Sequence, residues 1–271
     1  MPQTPPKSAH RHGGAAAPSS TAASAVHPPK PNANYGSKLM VLVGVGMLAA
    51  LLYAGATSGA RPSVALPPPA VDMAAAVSSP QATKATAVFA GGCFWGVQAV
   101  FQHTRGVLNA VSGYAGGTPE TASYPQVSSG KTGHAEAVSI TYDPTVVTYG
   151  QLLQIFFSVA HDPTEVDRQG PDYGPQYRSA IFYAHPDEQR VAQQYIAQLD
   201  ATGLLPRKIA TTLAPLSNFY PAEDEHQDYA TRNPHSIYIA TYDRPKITQL
   251  QTLLPDRFRE VPVLVAGQAA R

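Results

Sequence analysis

All eight phenylalanines and the single tryptophan of this 271-residue chain lie after residue 86, so a hydrophobic core can only be built from residue 87 onward. Residues 1–86 carry 12 of the 26 prolines and six basic side chains against one acid, Asp72. Such a segment cannot bury enough apolar surface to offset the entropy of an ordered chain. Residues 87–271 hold 12 of the 14 tyrosines, with 13 basic and 17 acidic side chains, a net charge of −4. That length suffices for one packed domain. A net negative domain without a basic run lacks the electrostatic footprint that phosphate binding requires, which excludes nucleic acid as a partner. The chain has one cysteine, Cys93, which excludes an internal disulfide, a CxxC redox pair and any multi-cysteine metal site.

Leu39 to Ala56 is an uncharged run of 18 residues. As a helix it spans about 27 Å, against a hydrocarbon core of roughly 30 Å. Lys30 and Lys38 precede it and Arg61 comes after it, a bias that keeps the N-terminus inside and exports the rest. The competing reading is a cleaved signal peptide, with Ala54-Gly55-Ala56 as the cleavage pattern. The long leader and the length of the run, beyond the usual 7–15 residues or so, favour an anchor. The expected division is a disordered tail at 1–37, a membrane segment at 38–57, a disordered Pro/Ala-rich linker at 58–84, a globular domain at 85–258 and a C-terminal tail at 259–271. The domain is then membrane-anchored on the periplasmic side, or periplasmic or secreted if the segment is cleaved.

Within the domain, Ala85 to Ala90 reads as a strand ended by Gly91-Gly92, and Phe94, Val97, Val100 and Phe101 recur at helical spacing. Strands are expected at 107–114 and 135–142, and a capping box at Thr148 and Gln151 opens a helix to about Ala160. A strand at 179–184, a helix over 186–202 closed by Gly203, a strand at 209–213 and a short helix at 221–231 complete the reading. The order strand, helix, strand, strand, helix, strand predicts an α+β class domain, a ferredoxin-like α/β sandwich.

Cys93 stands at the first turn of a helix, where free N–H groups and the helix dipole are expected to lower a thiol pKa. A reactive thiol is one reading and an inert buried cysteine the other. Phe94 and Trp95 beside it are either an apolar wall, if exposed, or ordinary core.

Four motifs stand in order: Gly92-Cys93-Phe94-Trp95-Gly96, Gly113-Tyr114-Ala115-Gly116-Gly117, Gly130-Lys131-Thr132-Gly133-His134-Ala135-Glu136, and Asp172-Tyr173-Gly174-Pro175-Gln176-Tyr177-Arg178-Ser179. Over residues 86–245 the series resembles the type A peptide methionine sulfoxide reductases. The resemblance implies the same sandwich, no metal, and reduction of the S epimer of methionine sulfoxide, free or in proteins; the chain itself is expected to be a monomer. It makes Cys93 the nucleophile, Glu136 the proton donor, Tyr124 and Tyr177 the groups that bond the sulfoxide oxygen, and Phe94 with Trp95 the pocket for the substrate methyl. Asp172 matches an acid of the same polar network. The chemistry suits these types, because a sulfoxide oxygen leaves only once protonated and a carboxyl kept neutral by apolar walls can supply that proton.

Taken singly, Glu136 reads as a solvent-face strand residue, Tyr124 as a loop tyrosine, Tyr177 as core and Asp172 as a turn former. His134 and His161 read as structural. The run Glu223 to His226 reads as a solvated helical face rather than a metal cluster. Many family members carry further cysteines that resolve the oxidised intermediate, whereas this chain has none. The resemblance therefore implies no cofactor but an external thiol reductant such as thioredoxin or glutaredoxin. Two other classes remain: a cysteine hydrolase in which His134 or His161 activates Cys93, and a tethered module that binds oxidised proteins without turnover.

Overall fold

β1 (Ala85–Gly91) ends at a double glycine for a steric reason. Gly92 takes φ +89°, and a Cβ there would lie 2.5 Å from the Cβ of Gln169. The chain turns and enters α1 (Phe94–Gln102) with Cys93 as its N-cap. The structure is a computed structural model that describes residues 65–73 and 84–265, which fall in one compact unit.

The remaining strands are β2 (Val107–Ala115), β3 (Ala135–Tyr142), β4 (Arg168–Gln169), β5 (Asp172–Tyr173), β6 (Ser179–Tyr183), β7 (Thr212–Pro215) and β8 (Phe219–Pro221). Six of them form one sheet in the order β7-β6-β1-β3-β2-β8, and β4 with β5 makes a small hairpin. Only the β6–β7 pair within the sheet is parallel. The central order β6-β1-β3-β2 is that of a split βαβ unit. α2 (Tyr149–Ile155) starts at the capping box, with both Thr148 and Gln151 making their reciprocal bonds, and continues as a π-helical turn through Ala160. α3 (Pro186–Thr202) ends at Gly203, whose φ of +65° closes the helix left-handed. α4 (Arg244–Leu253) packs against α1.

Strand parity decides what each sheet face does. Phe89 of β1 and Val138 and Ile140 of β3 join the helices in the main core, while Val88, Ala90, Ala135 and Ala137 form a smaller apolar cluster on the other face. Both faces of β3 are thus covered, and Glu136 shares the helix-side parity of Val138.

Several boundaries differ from expectation. The strand expected at 209–213 begins at Thr212, because the Ile209 and Ala210 N–H groups are already bonded to Asp200 and to the Pro163 carbonyl. The helix expected over 221–231 is broken. Pro221 pairs with Gly113 in β8, residues 224–226 form one 3-10 turn, and Asp228 sits at φ +56° before a short helix at Tyr229–Arg232. Gln227 and Asp228 are held instead by bonds to Gln98 and to the backbone of Ser112, which a continuous helix would not permit.

Residues 65–73, inside the stretch expected to be a plain spacer, lie against α2 and α3. Leu66 is 1% exposed. Its N–H donates to Ser158 Oγ and its carbonyl accepts from Gln154 Nε2. Tyr195 and Gln198 donate to the carbonyls of Pro67 and Pro68, and Asp72 accepts from the Thr148 hydroxyl and the Gly150 N–H. The physical reason is that prolines cannot donate but present carbonyls, which these side chains satisfy around one apolar anchor. At the other end, the expected tail is held through Val263 N–H to the Gln102 carbonyl and Val265 N–H to Asp228. The apolar run 39–56 lies outside the described residues. Among the described residues, no helix is long and apolar enough to cross a membrane.

Candidate active site

The sheet and the helix layer converge on the N-terminal end of α1. Cys93 is 8% exposed there, so it is nearly buried. The expected lowering of its pKa does not hold in this structure. Burial pushes the thiol up, Asp243 and, once ionised, Glu136 push the same way, and only the Trp95 backbone N–H and the Lys246 ammonium oppose them. Desolvation of a thiolate outweighs one helix end.

Glu136 stands across from Tyr114 in the β2–β3 ladder. It is 2% exposed, against the solvent-facing reading of an isolated strand residue, because β3 is central and covered on both faces. Its Oε2 accepts the Phe94 N–H at 3.0 Å, which ties the carboxyl to the residue after Cys93. Burial holds its pKa up at about 8 despite that bond, with Asp172 adding to the rise, so the carboxyl keeps its proton at neutral pH. Burial likewise raises the phenols of Tyr124 and Tyr177, each within electrostatic reach of both Glu136 and Cys93. Both remain donors, and among the described residues neither hydroxyl is committed to a protein acceptor.

The two aromatic residues divide. Phe94 is core, 1% exposed, with its ring 5.9 Å from Tyr114 and 5.3 Å from His226. Trp95 is half-buried, stacked on Tyr229 at 3.8 Å and edge-on to Tyr238 at 5.8 Å. Asp172, on β5, accepts a short bond from the Tyr238 hydroxyl, and burial raises its carboxyl above the usual carboxylate range.

Sequence reasoning missed Tyr238, Tyr229, Asp243 and Lys246, which arrive from the C-terminal segment, and it misread Glu223 and His226. Glu223 accepts from the Tyr114 hydroxyl at 2.8 Å and the Tyr124 N–H at 2.9 Å, and the buried His226 ring lies 4.3 Å from that of Tyr124. Tyr124 thus opens a short helix, Tyr124–Val127, rather than lying in a loop. The available signal was aromatic enrichment at Tyr229, Tyr238 and Tyr242 in a stretch with no strand or helix periodicity of its own.

His134 and His161 are structural, as expected. His134 Nδ1 accepts the Gly117 N–H and its Nε2 bonds the Thr118 carbonyl, while His161 bonds the Phe156 carbonyl and Ser179 Oγ. With both rings tied to these partners, neither is placed to activate Cys93 as a hydrolase base. Among the described residues, no group of His, Cys, Asp and Glu could hold a metal ion.

A thiol, a neutral acid bonded to the next backbone N–H and two uncommitted phenols suit an electrophile bearing a basic oxygen. The family described as Peptide methionine sulfoxide reductase matches residues 85–256. The chain belongs to this family. It is 57% identical over 180 residues to the peptide methionine sulfoxide reductase MsrA 2 of Mesorhizobium japonicum, covering 66% of this chain and 92% of that one. It is 48% identical over 197 residues to the MsrA 2 of Synechocystis sp., covering 73% and 92%. The crystal structure of Mxr1 from Saccharomyces cerevisiae in reduced form shares 33% identity and a TM-score of 0.51, covering 58% of this chain and 89% of that one. The span matched to the methionine sulfoxide reductases takes in all four motifs and also the Tyr238 to Lys246 segment that closes the site.

Proposed function

We propose that this oxidoreductase reduces the S epimer of methionine sulfoxide, in proteins and free, through a cycle that needs one cysteine of its own. The carrying observation is Glu136, a carboxyl that keeps its proton to about pH 8 and is fastened to the Phe94 N–H beside Cys93. The Cys93 sulfur attacks the sulfoxide sulfur while Glu136 protonates the oxygen, with Tyr124 and Tyr177 donating to it and Trp95 beside the methyl. Phe94 contributes chiefly its backbone N–H. Asp172 acts through Tyr238. Methionine leaves reduced by two electrons, and Cys93 is left as a sulfenic acid.

With no second cysteine in the chain, an external thiol condenses with that sulfenic acid, releasing water and forming a mixed disulfide. A second thiol then frees Cys93 and departs in a disulfide. The electrons come from a thioredoxin-like protein, glutaredoxin or a small thiol, and no prosthetic group takes part. The protein works as a monomer on oxidised proteins outside the cytoplasm, tethered through residues 39–56, or released into the periplasm if that segment is cleaved.

The test is methionine formed by the full-length chain from each separate epimer, with and without dithiothreitol, and with Cys93→Ser as control. Thiol-dependent turnover of the S epimer alone, lost in the control, is the expected result. A folded wild-type protein that yields no methionine from either epimer overturns the reading.

A further inference from the structure

The one-cysteine cycle makes no use of a buried ion pair packed against the backbone of α1. Asp243 closes a π-helical turn and is 0% exposed, and Lys246, on α4, is 6% exposed. Lys246 Nζ donates to Asp243 Oδ1 at 3.0 Å, while Asp243 Oδ2 is buried with no hydrogen-bond partner. Both groups lie on Gly96. A Cβ at that position would come within 2.0 Å of Asp243 Oδ1 and 2.5 Å of Lys246 Nζ, so the pair reaches this spot only because residue 96 is glycine. Gly96 is on the first turn of α1, three residues after Cys93.

A buried pair with one oxygen unsatisfied is a poor way to stabilise a fold, since desolvation cancels most of the Coulomb gain. Its place is better explained by what it faces. Around Cys93 stand Glu136 from β3, Tyr124 from the short helix Tyr124–Val127, Tyr177 from the 3-10 turn ahead of β6, Tyr238 from the segment before α4 with Asp172 bonded to it, and Asp243 itself, whose charge pushes the thiol up. Each of these is an acid, and none offers positive charge. Lys246 does, and it acts on Cys93 and on Asp172 alike.

We propose that Lys246 is a positioning residue for the reaction, its ammonium held against Gly96 by Asp243 as the counter-charge that lets Cys93 become a thiolate in a buried site. This rests on the reading of Cys93 as the nucleophile. Within it, Asp243 aims the cation while its own charge works against the thiolate, so Lys246 is the group that offsets it, and Gly96 provides the opening through which the cation reaches the helix end.

The experiment is the pH profile of Cys93 alkylation by iodoacetamide, read by mass spectrometry on the full-length chain, with near-ultraviolet circular dichroism to confirm folding. Lys246→Met should move the midpoint up by about one pH unit, with alkylation near pH 7 about tenfold slower. Lys246→Arg, which keeps the charge, should return the profile toward that of the wild type. If Lys246→Met does not fold, Lys246→Gln tests the same point with a polar side chain. A folded Met or Gln variant whose profile superimposes on the wild type overturns the counter-charge and leaves the nucleophile reading standing. Methionine sulfoxide reduction that survives Cys93→Ser removes the nucleophile reading, and the counter-charge with it.

Discussion

Glu136 is an acid whose usefulness depends on staying protonated in a range where most carboxyls have ionised. Its protonated form is present below about pH 8 and is lost as the pH rises through that value. The wild-type rate of methionine formation, measured under saturating reductant, should therefore fall on the alkaline side near pH 8. Glu136→Gln should lower the rate by about 10²- to 10⁴-fold and remove that limb. The same shift carries a stability consequence. A carboxyl whose folded pKa is raised stabilises the fold fully below its ordinary pKa and loses that contribution as the pH climbs to about 8. Urea midpoints of Glu136→Gln should accordingly change less between pH 5 and 8 than those of the wild type. Tyr238 invites a second measurement, because its hydroxyl bonds Asp172 across 66 residues of chain. Tyr238→Phe should cost about 1 kcal/mol or more in chemical denaturation.

At the scale of elements, the residues that could be read in advance were those whose structure is set by near neighbours. The capping box at Thr148 and Gln151, the helix 186–202 with Gly203 behind it, and the double glycine before Cys93 are all local devices, and all three are present. What was not legible depends on distant chain. Glu136 looked solvent-facing because nothing within a few residues shows that β3 is covered on both sides. The pKa of Cys93 was misjudged because a helix end is visible in sequence, whereas the desolvation and the carboxylate of Asp243 come from 150 residues away. The helix expected at 221–231 lost to side-chain bonds with Gln98 and Ser112, which no periodicity reveals. The segment 65–73 was hidden by its own composition, since Pro-rich chain with one leucine reads as spacer. Its energetic weight can be measured: Leu66→Ala should lower stability by about 2 to 4 kcal/mol in urea denaturation, with the Cys93 chemistry intact.

For the whole molecule, the decisive number is one cysteine. A single-turnover experiment without reductant should yield about one methionine per chain and leave Cys93 as a sulfenic acid that a dimedone probe labels. Added thiol should restore steady turnover. The proposed tether is tested separately: the full-length chain should stay with membranes through alkaline carbonate extraction, and its domain should be open to protease from the periplasmic side. Recovery in the soluble periplasmic fraction, beginning after Ala56, would instead mark cleavage. The clamp at residues 65–73 then takes on a mechanical meaning. Tension arriving from the N-terminal side enters the domain at Leu66 and at the bonds from Ser158, Tyr195 and Gln198, on α2 and α3, before it can act on β1. Under the proposed tether, the clamp would act as strain relief on a cable, so that a pull from the N-terminal side is taken up at α2 and α3 and the Gly91-to-Cys93 turn keeps its geometry.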